Sequence, residues 1–238
     1  MLSKVKLAFI FIVILLHSCS HLSPLPHPSR KTKGVYHTVK KGETLWRICS
    51  TYKAALQEVA EINNIKNTAQ IKAGDRIFIP GATKPLGVPA PVQPKTKRKI
   101  PHPDKKQQQE IKQHAGLFRW PLQGTIIAGF GIVKGMKHDG INIKTPAGTT
   151  IKAAAGGEVV FSSMLEGYGK TIILQHTDSY ATVYANNQLN LVKNGSWVKQ
   201  GHAIAKVGTS NKKSNVPYLH FQIRRYNRPR NPLFYLPK

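Results

Sequence analysis

Two patterns of apolar and polar residues divide this chain. Tyr36-His37-Thr38-Val39-Lys40 alternates with period two, the spacing of a half-buried β-strand. Lys41-Gly42 then offers a turn, and Thr44 stands where a hydroxyl can cap a helix. Leu45, Ile48, Cys49 and Tyr52 fall at i, i+3, i+4 and i+7, one apolar helical stripe. Leu56, Val59, Ala60 and Ile62 predict a second short helix, and Arg76-Ile77-Phe78-Ile79-Pro80 a closing strand. Residues 36–80 therefore read as a small βααβ unit, near the lower size at which a chain folds alone. The second pattern begins after residue 116. Residues 125–132, 141–144, 150–153, 158–162, 171–175, 180–184 and 218–224 read as short strands. Turn signals at Pro146-Ala147-Gly148, Gly156-Gly157, Gly167 with Gly169, and Asn194-Gly195 separate many of them. Closely spaced short strands argue for an antiparallel β-rich unit over residues 117–238, without βαβ winding. The fold class is mainly β with a small α+β module.

Three segments lack periodicity. Residues 1–18 carry Lys4 and Lys6 before an apolar run from Leu7 to Leu16, too short to span a bilayer core and suited to an export signal. The run ends in Leu16-His17-Ser18-Cys19, which resembles a bacterial lipobox, so Cys19 is the expected lipidated first residue of the mature chain. Ordinary cleavage leaving a free thiol is the alternative. Residues 19–35 make a polar tether with Pro24, Pro26 and Pro28. Residues 81–116 hold Pro85, Pro89, Pro91, Pro94, Pro101 and Pro103 with Lys95, Lys97, Arg98 and Lys99. Such composition buries too little apolar surface to offset chain entropy, so an extended linker is expected.

The chain has 36 Lys and Arg against 10 Asp and Glu, a net charge of +26. An excess of this size favours polyanions: lipid headgroups, wall carboxylates or acidic proteins. A solubilising cationic surface with no dedicated partner is the plainer reading. For an exported chain nucleic acid is not an expected partner. With Cys19 acylated, Cys49 has no disulfide partner and falls on an apolar helix face, where free cysteine packs as a small hydrophobe.

Val39-Lys40-Lys41-Gly42-Glu43-Thr44-Leu45-Trp46, then Asn63-Asn64-Ile65, then Gly74-Asp75-Arg76-Ile77-Phe78-Ile79-Pro80 resembles a LysM module throughout its length. The resemblance implies binding of N-acetylglucosamine-containing glycans such as peptidoglycan, in a shallow groove between two loops. Carried onto this chain, those loops hold Gly42, Thr44 and Leu45, and Asn63, Asn64 and Ile65. Backbone and amide groups suit an acetamido sugar, and small apolar surface suits its ring. The same residues could serve only to cap helices and pack loops.

The larger unit resembles the LytM/lysostaphin-type zinc endopeptidases of peptidase family M23, on Gly129-Phe130-Gly131, His138-Asp139-Gly140-Ile141-Asn142, Tyr168-Gly169, Leu219-His220-Phe221 and Asn231-Pro232. In that family a His-x-x-x-Asp pair and the second His of His-x-His bind zinc, while the first His of that pair and a His after Tyr-Ala handle protons and the oxyanion. Here Asn142 replaces the ligand Asp, Tyr218 the first His of His-x-His, and Asn186 the His after Tyr-Ala. Residues two apart on a strand share a face, so positions 218 and 220 enter one groove. A hydrolytic zinc needs three ligands and an open position for water. Two imidazoles, His138 and His220, remain with no anionic ligand, so no metal or other cofactor is expected. Asp139 is the obvious substitute ligand, but its adjacent position turns it away from the His138 face. An amide cannot titrate, and a phenol is ordinarily protonated to about pH 10. General acid–base groups contribute about 10²- to 10⁴-fold each, so little turnover is expected. His138 and His220 could persist simply through hydrogen bonds within the groove.

Lipobox, LysM module, basic linker and emptied M23 unit together resemble the NlpD-like murein hydrolase activators. The resemblance implies a non-enzymatic lipoprotein of the outer membrane, facing the periplasm, that binds peptidoglycan and activates an N-acetylmuramyl-L-alanine amidase during cell separation. The partner would enter the groove of His138, Asn142, Asn186, Tyr218 and His220, with Arg224, Arg225, Arg228 and Arg230 as a basic tail pairing with its acidic groups. The other readings are a low-activity zinc endopeptidase and a structural tether between membrane and wall.

Overall fold

The structure is a computed structural model, and it describes residues 33–89, 116–133, 135–209 and 216–238. The expected signal, the Cys19 anchor, nearly all of the tether and most of the linker lie outside the described residues.

The small unit has the expected order. Strand β1 (Gly34–Thr38) pairs antiparallel with β2 (Arg76–Pro80), and helices α1 (Leu45–Tyr52) and α2 (Leu56–Ile62) lie between them in sequence. The Thr44 hydroxyl caps α1 by accepting from the Arg47 amide at 3.3 Å. Leu45, Ile48, Cys49, Leu56, Val59 and Ala60 meet Val39, Ile77 and Ile79 in one core, the convergence of the two helical stripes on the sheet. Cys49 is buried there, and desolvation pushes its thiol up to about 12, so it acts as a hydrophobe. Ala82 and Val88 also pack on this core, and the Tyr52 hydroxyl accepts from the Leu86 amide at 2.7 Å. The segment expected to open the linker thus first lies along the small unit.

The larger unit is built on antiparallel strands. These are β3 (Thr125–Ala128), β4 (Gly131–Val133), β5 (Met136–His138), β6 (Ile141–Lys144), β7 (Thr150–Lys152), β8 (Gly157–Leu165), β9 (Gly169–Gln175), β10 (Tyr180–Asn190), β11 (Trp197–Val198), β12 (Ala203–Val207), β13 (Tyr218–Arg225) and β14 (Arg228–Arg230). The main sheet runs β11-β8-β9-β10-β13-β6-β3, with β12 joining β10 to β7 and β14 beside β13. Strands β4 and β5 form a separate hairpin, in which Gly131 pairs with His138. The single strand expected over residues 125–132 is therefore broken at Gly129 and Phe130.

Alternation along β13 organises this unit. Leu219, Phe221 and Ile223 enter the main core with Tyr184, Ile143, Ile172 and Leu174. Residues 218, 220, 222 and 224 take the other face. The first and last segments of this unit meet at that core, for Trp120 Nε1 donates to the Pro237 carbonyl at 2.9 Å. Tyr184 is fully buried, and its hydroxyl accepts from the Ala154 amide at 2.8 Å and from Thr182 at 2.9 Å. Tyr184→Phe leaves the Ala154 N–H without that acceptor, so denaturant unfolding should show a loss of about 1–3 kcal/mol. An unchanged midpoint and slope would contradict the assignment.

Candidate functional site

The five groove positions converge where β10, β13 and β6 run side by side. His220 pairs in register with Asn142 across β6 and with Ala185 across β10. The His138 ring stands edge-on to His220, with centroids 5.2 Å apart. Asn186 follows Ala185 at an irregularity of β10, with φ +65°, a left-handed conformation that asparagine tolerates. Its amide donates to the Tyr218 carbonyl at 2.7 Å. Tyr218 is half-buried at the mouth.

A chain of hydrogen bonds fixes the state of His220. Arg224 can only donate, and its Nη1 reaches Gln222 Oε1 at 2.9 Å. That turns Gln222 Nε2 toward His220 Nε2, 2.9 Å away, so this ring nitrogen accepts. The proton therefore sits on Nδ1, which donates to Asn142 Oδ1 at 2.7 Å. Burial, with the neighbouring His138 as a smaller cause, pushes His220 down to about 3. His138 Nδ1 lies 2.8 Å from the Gly129 carbonyl and 2.9 Å from that of Gly140, and it donates to them.

This donor set does not fit the zinc of the M23 resemblance. The His220 nitrogen aimed at position 142 carries a proton, and its neighbour there is a neutral amide. Asp139 is buried and pairs with Lys137 at 3.1 Å. Among the described residues no group of three or more His, Cys, Asp or Glu could hold a metal ion.

The basic residues need correction. Arg224 lies on the groove face but is buried, held by Gln222 and by the Asn227 carbonyl at 2.6 Å. Arg225 faces the opposite side, its guanidinium 5.0 Å from the Tyr180 ring centroid. Arg230 pairs with Glu61 of the small unit at 2.7 Å. Arg224 and Arg230 are thus spent on internal acceptors and Arg225 on an aromatic ring, while Arg228 of the expected basic tail is exposed. Charge alone did not reveal their internal acceptors. Tyr168 and Gln222 belong to the groove and were missed: Gln222 Nε2 also reaches the Tyr168 hydroxyl at 3.2 Å, and the Tyr168 ring lies 5.6 Å from His220. The two-residue spacing from 218 through 220 was the available signal for Gln222.

At the small unit's loops, Gly42 and Asn64 are exposed, and both have positive φ. Thr44 is exposed while capping α1. Leu45 is buried in the core, so its side chain does not face a ligand. Asn63 is spent inward: Nδ2 donates to Val59 and Phe78 carbonyls, both at 2.8 Å, and Oδ1 accepts from the Phe78 amide at 2.7 Å. Ile65 packs against the core from outside.

Comparison with known proteins matches the same two units. The LysM domain model matches residues 37–80, and the Peptidase family M23 model residues 136–232. The uncharacterized lipoprotein YgeR of Escherichia coli is 35% identical over 210 residues, covering 86% of this chain and 82% of YgeR. The chain belongs to the NlpD-like family of LysM–M23 lipoproteins. The murein hydrolase activator NlpD of E. coli is 41% identical over 51% of this chain and 31% of NlpD. The outer membrane antigenic lipoprotein B of Haemophilus influenzae is 40% identical over 51% of this chain and 30% of its own length. The chain thus spans most of YgeR but under a third of these two longer family members. Among the described residues no helix is long and apolar enough to cross a membrane.

The groove of this NlpD-like chain carries a pH signature. An unfolded imidazole titrates near 6.5. Folding therefore excludes a proton from His220 between pH about 6.5 and about 3. The neutral ring's contribution is complete above the upper value and is lost as pH falls toward the lower one. Denaturant midpoints measured from about pH 7 down to about pH 4.5 should decline, and His220→Gln should flatten that decline. Equal slopes for the two proteins would refute the burial of a neutral ring.

Proposed function

We propose that this protein is a non-catalytic lipoprotein of the cell envelope that binds peptidoglycan through residues 36–80 and activates an N-acetylmuramyl-L-alanine amidase during cell separation. The observation that carries the proposal is the hydrogen bond from His220 Nδ1 to Asn142 Oδ1, which occupies the edge where a zinc peptidase would hold its metal. With Asn186 and Tyr218 at the remaining positions, the groove offers shape and hydrogen bonds to a partner, and neither residue replaces the imidazole that the M23 resemblance implies there. The name of NlpD, a murein hydrolase activator, supports the same role here. Gly42, Thr44 and Asn64 present the groups that a glycan would meet. Leu45, Asn63 and Ile65 would contribute through the loop backbone or through packing.

Anchoring would come from Cys19, with delivery to the outer membrane supported by Ser20 after it and by the name of the Haemophilus relative. The peptide or helix received by the groove would come from the amidase, meeting His138, Asn142, Asn186, Tyr218 and His220.

Two experiments test this reading. A soluble form beginning at residue 20, mixed with an amidase from the same cells and dye-labelled wall sacculi, should raise dye release over the amidase alone. Identical release with and without the protein would reject activation. Separately, Asn142→Asp, Asn186→His and Tyr218→His introduced together should restore zinc binding, measured by metal content after dialysis. Adding Gln222→Glu should tighten it further, because a carboxylate accepts from both Arg224 and a His220 Nε2 proton, freeing Nδ1 for the metal. Zinc in the unaltered protein at one per chain, with peptide cleavage lost in His220→Ala, would favour the endopeptidase reading instead.

A further inference from the structure

Glu61 is a carboxylate on helix α2 of the small unit, yet it is 2% exposed. Its partner within that unit is Gln57, whose amide donates to Oε1 at 2.8 Å. The rest come from the M23 unit. Arg230 Nη2 donates to Oε1 at 2.7 Å, the Asn231 amide to Oε2 at 3.1 Å, and the Tyr235 hydroxyl to Oε1 at 3.5 Å. Asn231 Nδ2 also donates to the Glu61 carbonyl at 3.0 Å and reaches Asn64 Oδ1 at 3.4 Å. Burial draws the Arg230 guanidinium down, but the Glu61 charge more than offsets this and holds it above its ordinary value. Tyr235 is pushed up to about 12 by burial and by the same carboxylate. Removing one member of a buried pair is costly because the other charge is stranded, so such a contact specifies one arrangement of two surfaces.

Beside this pair, α2 touches the β4–β5 hairpin. Gly131 has φ +108°, and a methyl group added to it would collide with the Ile62 carbonyl. Ile62 is buried but lies outside the small unit's core cluster. The hairpin is not part of the main sheet, and it carries His138, paired with Gly131, at the groove edge. Its support therefore includes a neighbour from outside the M23 unit.

We infer that the LysM unit is a structural wall of the groove: Glu61 docks α2 onto Arg230, Asn231 and Tyr235, and the docked helix end holds the hairpin that carries His138. Glu61 is thus a positioning residue for the groove, and the wall-binding loop at Asn64 is fixed beside the partner-binding surface. The docking stands on the contacts above. Its consequence for amidase activation rests on the proposed function.

The test uses the soluble chain from residue 20 with Glu61→Lys, Arg230→Glu, and the two combined. Each single variant should enlarge the particle by small-angle scattering and speed amide exchange in residues 129–133 and 135–138, and the charge swap, which re-pairs the two charges but leaves the Asn231 N–H without its acceptor, should restore each in part. Binding of a soluble N-acetylglucosamine oligomer by the single variants should persist, since Glu61 is outside the small unit's core. Amidase activation should fall about five-fold or more in each single variant, the lower end of coupling between sites, and recover in part in the swap. Single variants that keep the original dimensions and hairpin exchange would overturn the inference. So would a swap that restores neither, which would assign the changes to local damage. If the unaltered chain fails to stimulate any amidase, the proposed function falls while scattering and exchange still decide the docking.

Discussion

The groove is governed by a hydrogen-bond relay with one possible polarity. Arg224 cannot accept, so Gln222 must show it an oxygen; Gln222 therefore shows His220 an amide N–H, and His220 must protonate the nitrogen facing Asn142. Every member lies on β13 or on its neighbour β6, just inside the edge strand β3 of the main sheet. A buried polar network is tolerable only when every member is satisfied, and this one closes at both ends: Arg224 on the Asn227 carbonyl, Asn142 on the ring. The opposite face of the same strand sets Leu219, Phe221 and Ile223 in the main core. One strand thus couples the stability of the unit to the chemistry of its groove.

Much of this was legible in the sequence because period and spacing report backbone geometry directly. The stripe at Leu45, Ile48, Cys49 and Tyr52 became α1, Thr44 became its cap, and Arg76 to Pro80 became β2. The Tyr-x-His spacing predicted that positions 218 and 220 share a groove, the M23 resemblance implied that position 142 joins them, and β6 and β13 bring 142 and 220 into register. Other features depend on partners distant along the chain. The break between β3 and β4 follows no loss of apolar pattern, because Ile126, Ile127 and Ile132 continue it. The short strands β5, β11 and β14 carry too few residues to show a period. Arginine composition suggested a free basic surface, yet Arg224 finds acceptors in the next turn and Arg230 finds one in another unit. Asn63 resembled a ligand-facing amide, but three backbone groups consume it.

The two units meet through polar groups, and that choice has consequences. A purely apolar junction tolerates sliding, since dispersion has little direction, whereas Glu61 must meet Arg230 and the Asn231 amide together. The contact orients α2 against the hairpin bearing His138, while the helical stripe of α2 still faces its own core. Wall binding and partner binding, proposed for surfaces on different units, are then arranged by one carboxylate.

The relay also bears on why a single reversion at position 142 is a poor route back to a metal site. A carboxylate at 142 would face the proton on Nδ1 and form an ion pair with the ring, which satisfies both groups without a metal. For Nδ1 to bind zinc, the proton must leave or move to Nε2, and Nε2 then faces the N–H of Gln222. Two donors cannot face each other in a dry site, so Gln222 would have to rotate and abandon Arg224, which is buried and would be left short of an acceptor. Metal binding at this edge would therefore depend on position 222 as well as on position 142.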